Sequence, residues 1–257
     1  MSIYNKSLID NSFALNVALG KVDGYSVVHK FGSNPSVPNG SWAGILSAAA
    51  QFVWPTAAIA VRVKAGGNAA DVDTTGAGAR TVTVQGLGDT GLEVQETISL
   101  LGATVSAPTT QTFRRVYRVW VASAGTYTGN NTGAILIETT AGTALINIAA
   151  GAGQSQYCAY TIPLGKTGLL TMAEVQVDGT KASDFRLFTR ANILDVTVPV
   201  SPKRLKLYWD GVLGSDIHQP NFPELVLPAL TDIWIEARGG GALTEATANM
   251  EIVLVDD

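Results

Sequence analysis

Apolar side chains in this chain recur at every second position far more often than at helical spacing. In ARTVTVQG, Val82 and Val84 fall on one side and Thr81, Thr83 and Gln85 on the other. FRRVYRVWVAS sets Val116, Arg118 and Trp120 against Arg115, Tyr117 and Val119. GLEVQETISLLG follows the pattern less strictly through Val94, Thr97 and Ile98. A period of two marks strands with one buried face. Turn-forming stretches punctuate them: GLGDTG, GTYTGNNTG, AGAGQ, VDGTK, WDGVLG and RGGG. Short strands so spaced predict an all-β fold, an antiparallel β-sandwich of jelly-roll type, with about fourteen strands.

That number exceeds what one small sandwich needs, so the chain divides into an N-terminal arm over residues 1–45 and two β modules, 46–150 and 151–257. The arm contains the turn-rich KFGSNPSVPNGSW, yet Phe13, Val27, Val28 and Phe31 make it too apolar for a free tail. Such a segment is expected to dock on a neighbouring surface through Val27, Val28, His29 and Phe31. No shift in composition marks the boundary between modules, and one continuous double sheet is also compatible with the pattern.

Composition narrows the function. Of 257 residues, 46% are hydrophobic and 15% charged, which excludes a disordered chain. The net charge of −4 is spread along the sequence without a basic run, so nucleic acid is not an expected partner. Cys158 is the only cysteine, excludes an internal disulfide, and reads as a buried thiol on a strand. MSIYNKSLIDNSF lacks the features of a signal peptide, and ILSAAAQFVWPTAAIAV is interrupted by Gln51 and Pro55, so no membrane span is expected.

Several stretches imitate chemical motifs. Residues 86–91, GLGDTG, match the glycine spacing of a dinucleotide loop, but the alternating LEVQETISL that follows predicts a hairpin turn. YTIPLGKTGLL ends a phosphate loop in Gly165-Lys166-Thr167, yet Tyr160 stands where the first glycine belongs and Pro163 removes a backbone donor. A strand, a turn and a second strand forming a hairpin is the better reading. His29 and His218 are the only histidines; Asp216 with His218 is two ligands short of a zinc site. Asp71 and Asp73 in DVDTTG lack the later glutamate of a calcium loop. No catalytic constellation, cofactor site or metal site is expected. Tryptophans 42, 54, 120, 209 and 234 are scattered, and LYWDG offers Tyr208, Trp209 and Asp210 as a candidate glycan contact.

Three stretches together resemble virion proteins of tailed bacteriophages, particularly marine ones: GKVDGYSVVHKFGSNPSV, GARTVTVQGLGDTGLEVQETISLLGATVSAPTTQTFRRVYRVWVASAGTYTGNNTGAILI, and GQSQYCAYTIPLGKTGLL. The resemblance implies a structural, non-enzymatic component of the particle, made in the host cytoplasm and located on the virion. Combined with the low charge and high β content, it leads to the expectation of a capsid decoration or cement protein. Its expected partners are its own copies, as a trimer, and the major capsid protein or another virion protein. A head-fibre or tail-associated adhesin binding host glycan is the alternative.

Overall fold

The computed structural model describes residues 13–47, 51–220, 225–241 and 244–257. It is nearly all β, antiparallel and sandwich-like, and the described residues include one short helix, α1 (Phe13–Ala18). The strands are β1 (Tyr25–Val37), β2 (Ala43–Gly44), β3 (Val61–Ala65), β4 (Ala79–Leu87), β5 (Glu93–Ser99), β6 (Arg115–Ala124), β7 (Ile135–Thr139) and β8 (Ala144–Ile148). They continue as β9 (Ala159–Thr161), β10 (Lys166–Val177), β11 (Ser183–Arg190), β12 (Arg204–Val212), β13 (Ser215–His218), β14 (Leu225–Leu227), β15 (Asp232–Arg238) and β16 (Thr244–Asp256).

Pairing sorts them into two sets. Strands β3–β8 pair among themselves, in the orders β3-β7-β8 and β5-β4-β6. The remaining strands form two larger sheets: β1-β16-β10-β13, with β14 also on β10, and β12-β11-β15-β2, with β9 also on β15. The first set is thus inserted in the chain between β2 and β9. One hydrophobic cluster runs through both, from Val82, Val84 and Ile137 to Phe185, Ile235 and Met250, each fully enclosed.

The segment expected as an arm is an integral strand. β1 pairs with β16 from Tyr25↔Val255 to Val37↔Thr244, while β2 pairs with β15. Its loop-like composition has a physical reason. A Cβ on Gly32 would lie 2.2 Å from the Ile45 carbonyl oxygen and 2.6 Å from the Cys158 nitrogen, so glycine alone lets β1 pass this close. The outer edge of β1 is covered, because Tyr157 N–H donates to Phe31 O at 2.8 Å and Arg118 donates to His29 O at 2.6 Å. Residues 1–12 of the expected arm lie outside the described residues.

The GLGDTG turn does join β4 to β5 as a hairpin, with Gly88 N–H donating to Leu92 O at 2.9 Å. The expected YTIPLGKTGLL hairpin does not form. β9 pairs with β15 and β10 with β16, so the turn at Gly165 (φ +77°) carries the chain from one sheet to the other.

Candidate functional site

Antiparallel partners present their side chains on the same face. On the outward face of the β1-β16-β10 sheet this aligns Val27, Val253, Leu169 and Val226 in one row across four strands. Val27 and Val226 are 45% and 56% exposed, and the neighbouring rows add Tyr25, Val255 and Ile217. Phe13 packs edge-on against Tyr25 at 5.2 Å, and Leu15 in α1 and Leu19 just after it are exposed as well. Three of the four expected docking residues, Val27, His29 and Phe31, face outward here; His29 and Phe31 stack at 5.8 Å. Val28, paired with fully buried Ile252, turns inward and packs on the core.

The outward face of the β12-β11-β15 sheet is built differently, as a ladder of opposed charges and rings. Arg186 Nε donates to Glu236 Oε2 at 2.8 Å, Arg238 pairs with Asp184, and Phe188 stacks on Trp234 at 5.6 Å. Arg186 also lies 3.9 Å over the Trp42 ring, which meets Tyr208 edge-on at 6.3 Å. Burial works to raise the Asp184 pKa, but the Arg238 guanidinium and the Gly211 N–H outweigh it and hold the carboxyl below its usual range. The LYWDG residues divide by strand parity. Tyr208 and Asp210 are exposed, while Trp209 pairs with Phe185 on the buried side at 7% exposure and has no face to offer a sugar.

Where the two strand sets meet, charge is enclosed. Asp232 at the start of β15 is completely buried and accepts from Arg115 Nε (2.9 Å) and Nη2 (3.0 Å), Thr161 Oγ1 (2.7 Å) and Arg190 Nη2 (3.1 Å). Arg115, from β6, further donates to the carbonyls of Pro55 and Arg114, both at 2.8 Å. Trp54 covers the cluster, its ring 5.1 Å from the Arg115 guanidinium and 5.3 Å from Trp234. A carboxylate whose acceptor sites are all engaged by donors is a clamp between strand sets and no general base.

Nearby, Lys30 reaches from β1 to donate to the Tyr117 carbonyl, its Nζ 5.7 and 5.9 Å from the Tyr117 and Tyr157 ring centres. Burial, and then the charge of Arg118, pull its pKa down to about 7. Glu93 accepts hydrogen bonds from the Tyr117 and Tyr160 hydroxyls. Burial raises both tyrosines, and pushes the adjacent Cys158 thiol up to about 12. Sequence reasoning missed Lys30, Arg115 and Asp232. Their partners lie far away along the chain, and no local pattern announces them.

The remaining motifs resolve into structure. Asp71, fully buried, accepts the backbone N–H groups of Ala79 (3.0 Å), Thr132 (2.9 Å) and Gly133 (2.7 Å), so DVDTTG clamps loops with its own donors. Lys166 pairs with Asp256 at 2.5 Å on the surface. Asp216 and His218 lie on edge strand β13, and among the described residues no three His, Cys, Asp or Glu side chains converge as metal ligands.

Comparison with protein-family models and with curated proteins returns no match. Solved structures similar to the chain include one of infectious bursal disease virus, Gt strain, with 10% identity over 91% of this chain and 73% of that chain, at a TM-score of 0.25. Another is of T=1 particles derived from infectious bursal virus, with 10% identity over 91% and 70% and the same TM-score of 0.25. Superpositions this loose do not define a shared fold.

Proposed function

We propose that the chain is a non-enzymatic structural protein of a tailed-phage particle, a decoration or cement protein that docks on the major capsid lattice as a trimer. The observation that carries this reading is the apolar row Val27–Val253–Leu169–Val226 on an outward sheet face. A sheet face in water is normally polar, and a contiguous apolar patch on one fits a protein surface. The resemblance of GKVDGYSVVHKFGSNPSV and its companion stretches to virion proteins supplies the lattice as that surface. Each contact is modest, and repetition of capsid sites makes attachment tight.

Incubating the protein with particles stripped of it, then sedimenting them, tests the idea. Wild type should co-sediment at a copy number comparable to the capsid subunits. The Val27→Asp/Val226→Asp double variant should remain in the supernatant while keeping its β-rich circular dichroism. Co-sedimentation of that variant, or a handful of wild-type copies per particle, would sink the proposal.

A further inference from the structure

The outward face of the β5-β4-β6 sheet carries a second surface, of different chemistry. Register places Gln95, Gln85 and Arg118 side by side, and next to them Thr97, Thr83 and Trp120, with Gln154 bridged to Trp120. A depression of about 600 Å³ opens over Gln85, Arg118, Trp120 and Gln154. It continues past His29 and Phe31 as a second of about 580 Å³ that shares Gln85, Arg118 and Gln154, making one long groove along the edge of β1.

Trp120 is distinguished among the five tryptophans. Trp42, Trp54 and Trp234 have ring or cation partners within the protein, and Trp209 is buried. Trp120, half-exposed on the groove floor, has neither among the described residues. The neighbouring threonines bond to each other, Thr83 to Thr97 at 2.8 Å, which leaves the Gln85 and Gln154 amides as the groove's available donors and acceptors among the described residues. Arg118 spends one N–H on His29 O and keeps the rest of its fork.

We infer that this groove binds a saccharide chain, and that Arg118 favours an acidic sugar. An indole face takes the C–H side of a pyranose ring, and each amide pairs a donor with an acceptor as adjacent hydroxyls require. The guanidinium fork matches a sugar carboxylate, and among the residues that line the groove Glu93 is the one acid, its Oε1 accepting from two tyrosine hydroxyls. An open trough with one aromatic platform and few fixed polar groups suits an extended, hydrated chain. The groove borders the apolar face at Val27, His29 and Phe31, but its test varies only Trp120, Arg118 and Gln154, which lie off that face, so the two readings fail separately.

The test titrates the full-length protein with defined oligosaccharides, one series neutral and one containing uronic acid, following tryptophan fluorescence and calorimetry. Wild type should bind, uronate-containing chains more tightly than neutral ones. Trp120→Ala and Arg118→Gln should each weaken binding about tenfold or more, the scale of one lost stack or charge-assisted bond. Gln154→Ala, an exposed change that leaves packing intact, should weaken it by about threefold. No binding by wild type to either series would overturn the inference, as would unchanged binding by both Arg118→Gln and Gln154→Ala. Equal affinity for neutral and acidic chains would overturn the role given to Arg118.

Discussion

Asp232 and Lys30 are both ionisable, both buried where the strand sets meet, and treated in opposite ways. Tyr157 lies between them; its ring covers Lys30, and the charges of Asp232 and Arg115 act on its hydroxyl. Asp232 has two guanidinium groups and a hydroxyl aimed at it. Lys30 has a carbonyl and two rings, and among the described residues no ion pair. Removing a charge from water costs several kcal/mol unless counter-charge and hydrogen bonds replace the lost hydration. Asp232 obtains that replacement and stays a fixed clamp. Lys30 does not, and the cost is relieved by loss of its proton near neutral pH.

The largest expected effect breaks the clamp. Asp232→Ala leaves Arg115, whose side chain is 4% exposed, as an uncompensated buried charge. It should lower stability by about 3–5 kcal/mol in urea titrations. Pairing Asp232→Leu with Arg115→Met should recover a good part of that loss; no recovery would mean that packing, and not stranded charge, dominates.

Lys30 should produce a stability that depends on pH. The unfolded chain holds this proton to about pH 10.5 and the folded chain releases it near 7, so between the two the unfolded state binds more protons and stability rises with pH. The window closes early, because Cys158 runs the other way. Its thiol, near 9.0 when unfolded and about 12 when folded, subtracts stability above pH 9. From pH 7 to 9 the rise should approach roughly 2–3 kcal/mol. Lys30→Met should flatten that rise, and a variant as steep as wild type would refute the assignment.

Outside the junction the contrast softens. Arg238→Ala removes an ion pair whose arginine is 39% exposed and should cost less than about 1 kcal/mol. Val27→Asp, on an exposed row, should change stability by about 0.5 kcal/mol or less, although particle docking is expected to disappear. A large stability loss there would mean that the row is structural and not a docking face.

The strands that alternate were legible. Val82 and Val84 face the core and Thr81 and Gln85 do not, as the period of two predicts. β15 keeps the same period, with Ile233, Ile235 and Ala237 on one face and Trp234, Glu236 and Arg238 on the other, but the burial of its polar face at Asp232 and Glu236 is not visible in that pattern. The segment of β1 reads as an arm because Gly32, Asn34 and Pro35 look like a loop; only the pairing with β16 makes it a strand. Asn34 is held there by its amide donating to Gly44 O at 2.9 Å. Trp209 could have been placed correctly, since neighbours on a strand point to opposite faces and the glycan reading asked Tyr208 and Trp209 to share one. The junction could not. Arg115 and Asp232 are 117 residues apart, and nothing near either reveals the other.

The pairing of β1 with β16 also sets an order of events. Tyr25 finds its partner only in Val255, so this sheet closes over nearly the whole length of the described chain, an entropic cost met late. Strands β3–β8, by contrast, find all their strand partners within residues 61–148. During synthesis the inserted set can therefore gather its core while β1 waits, covalently attached and without its neighbour, until β16 is made.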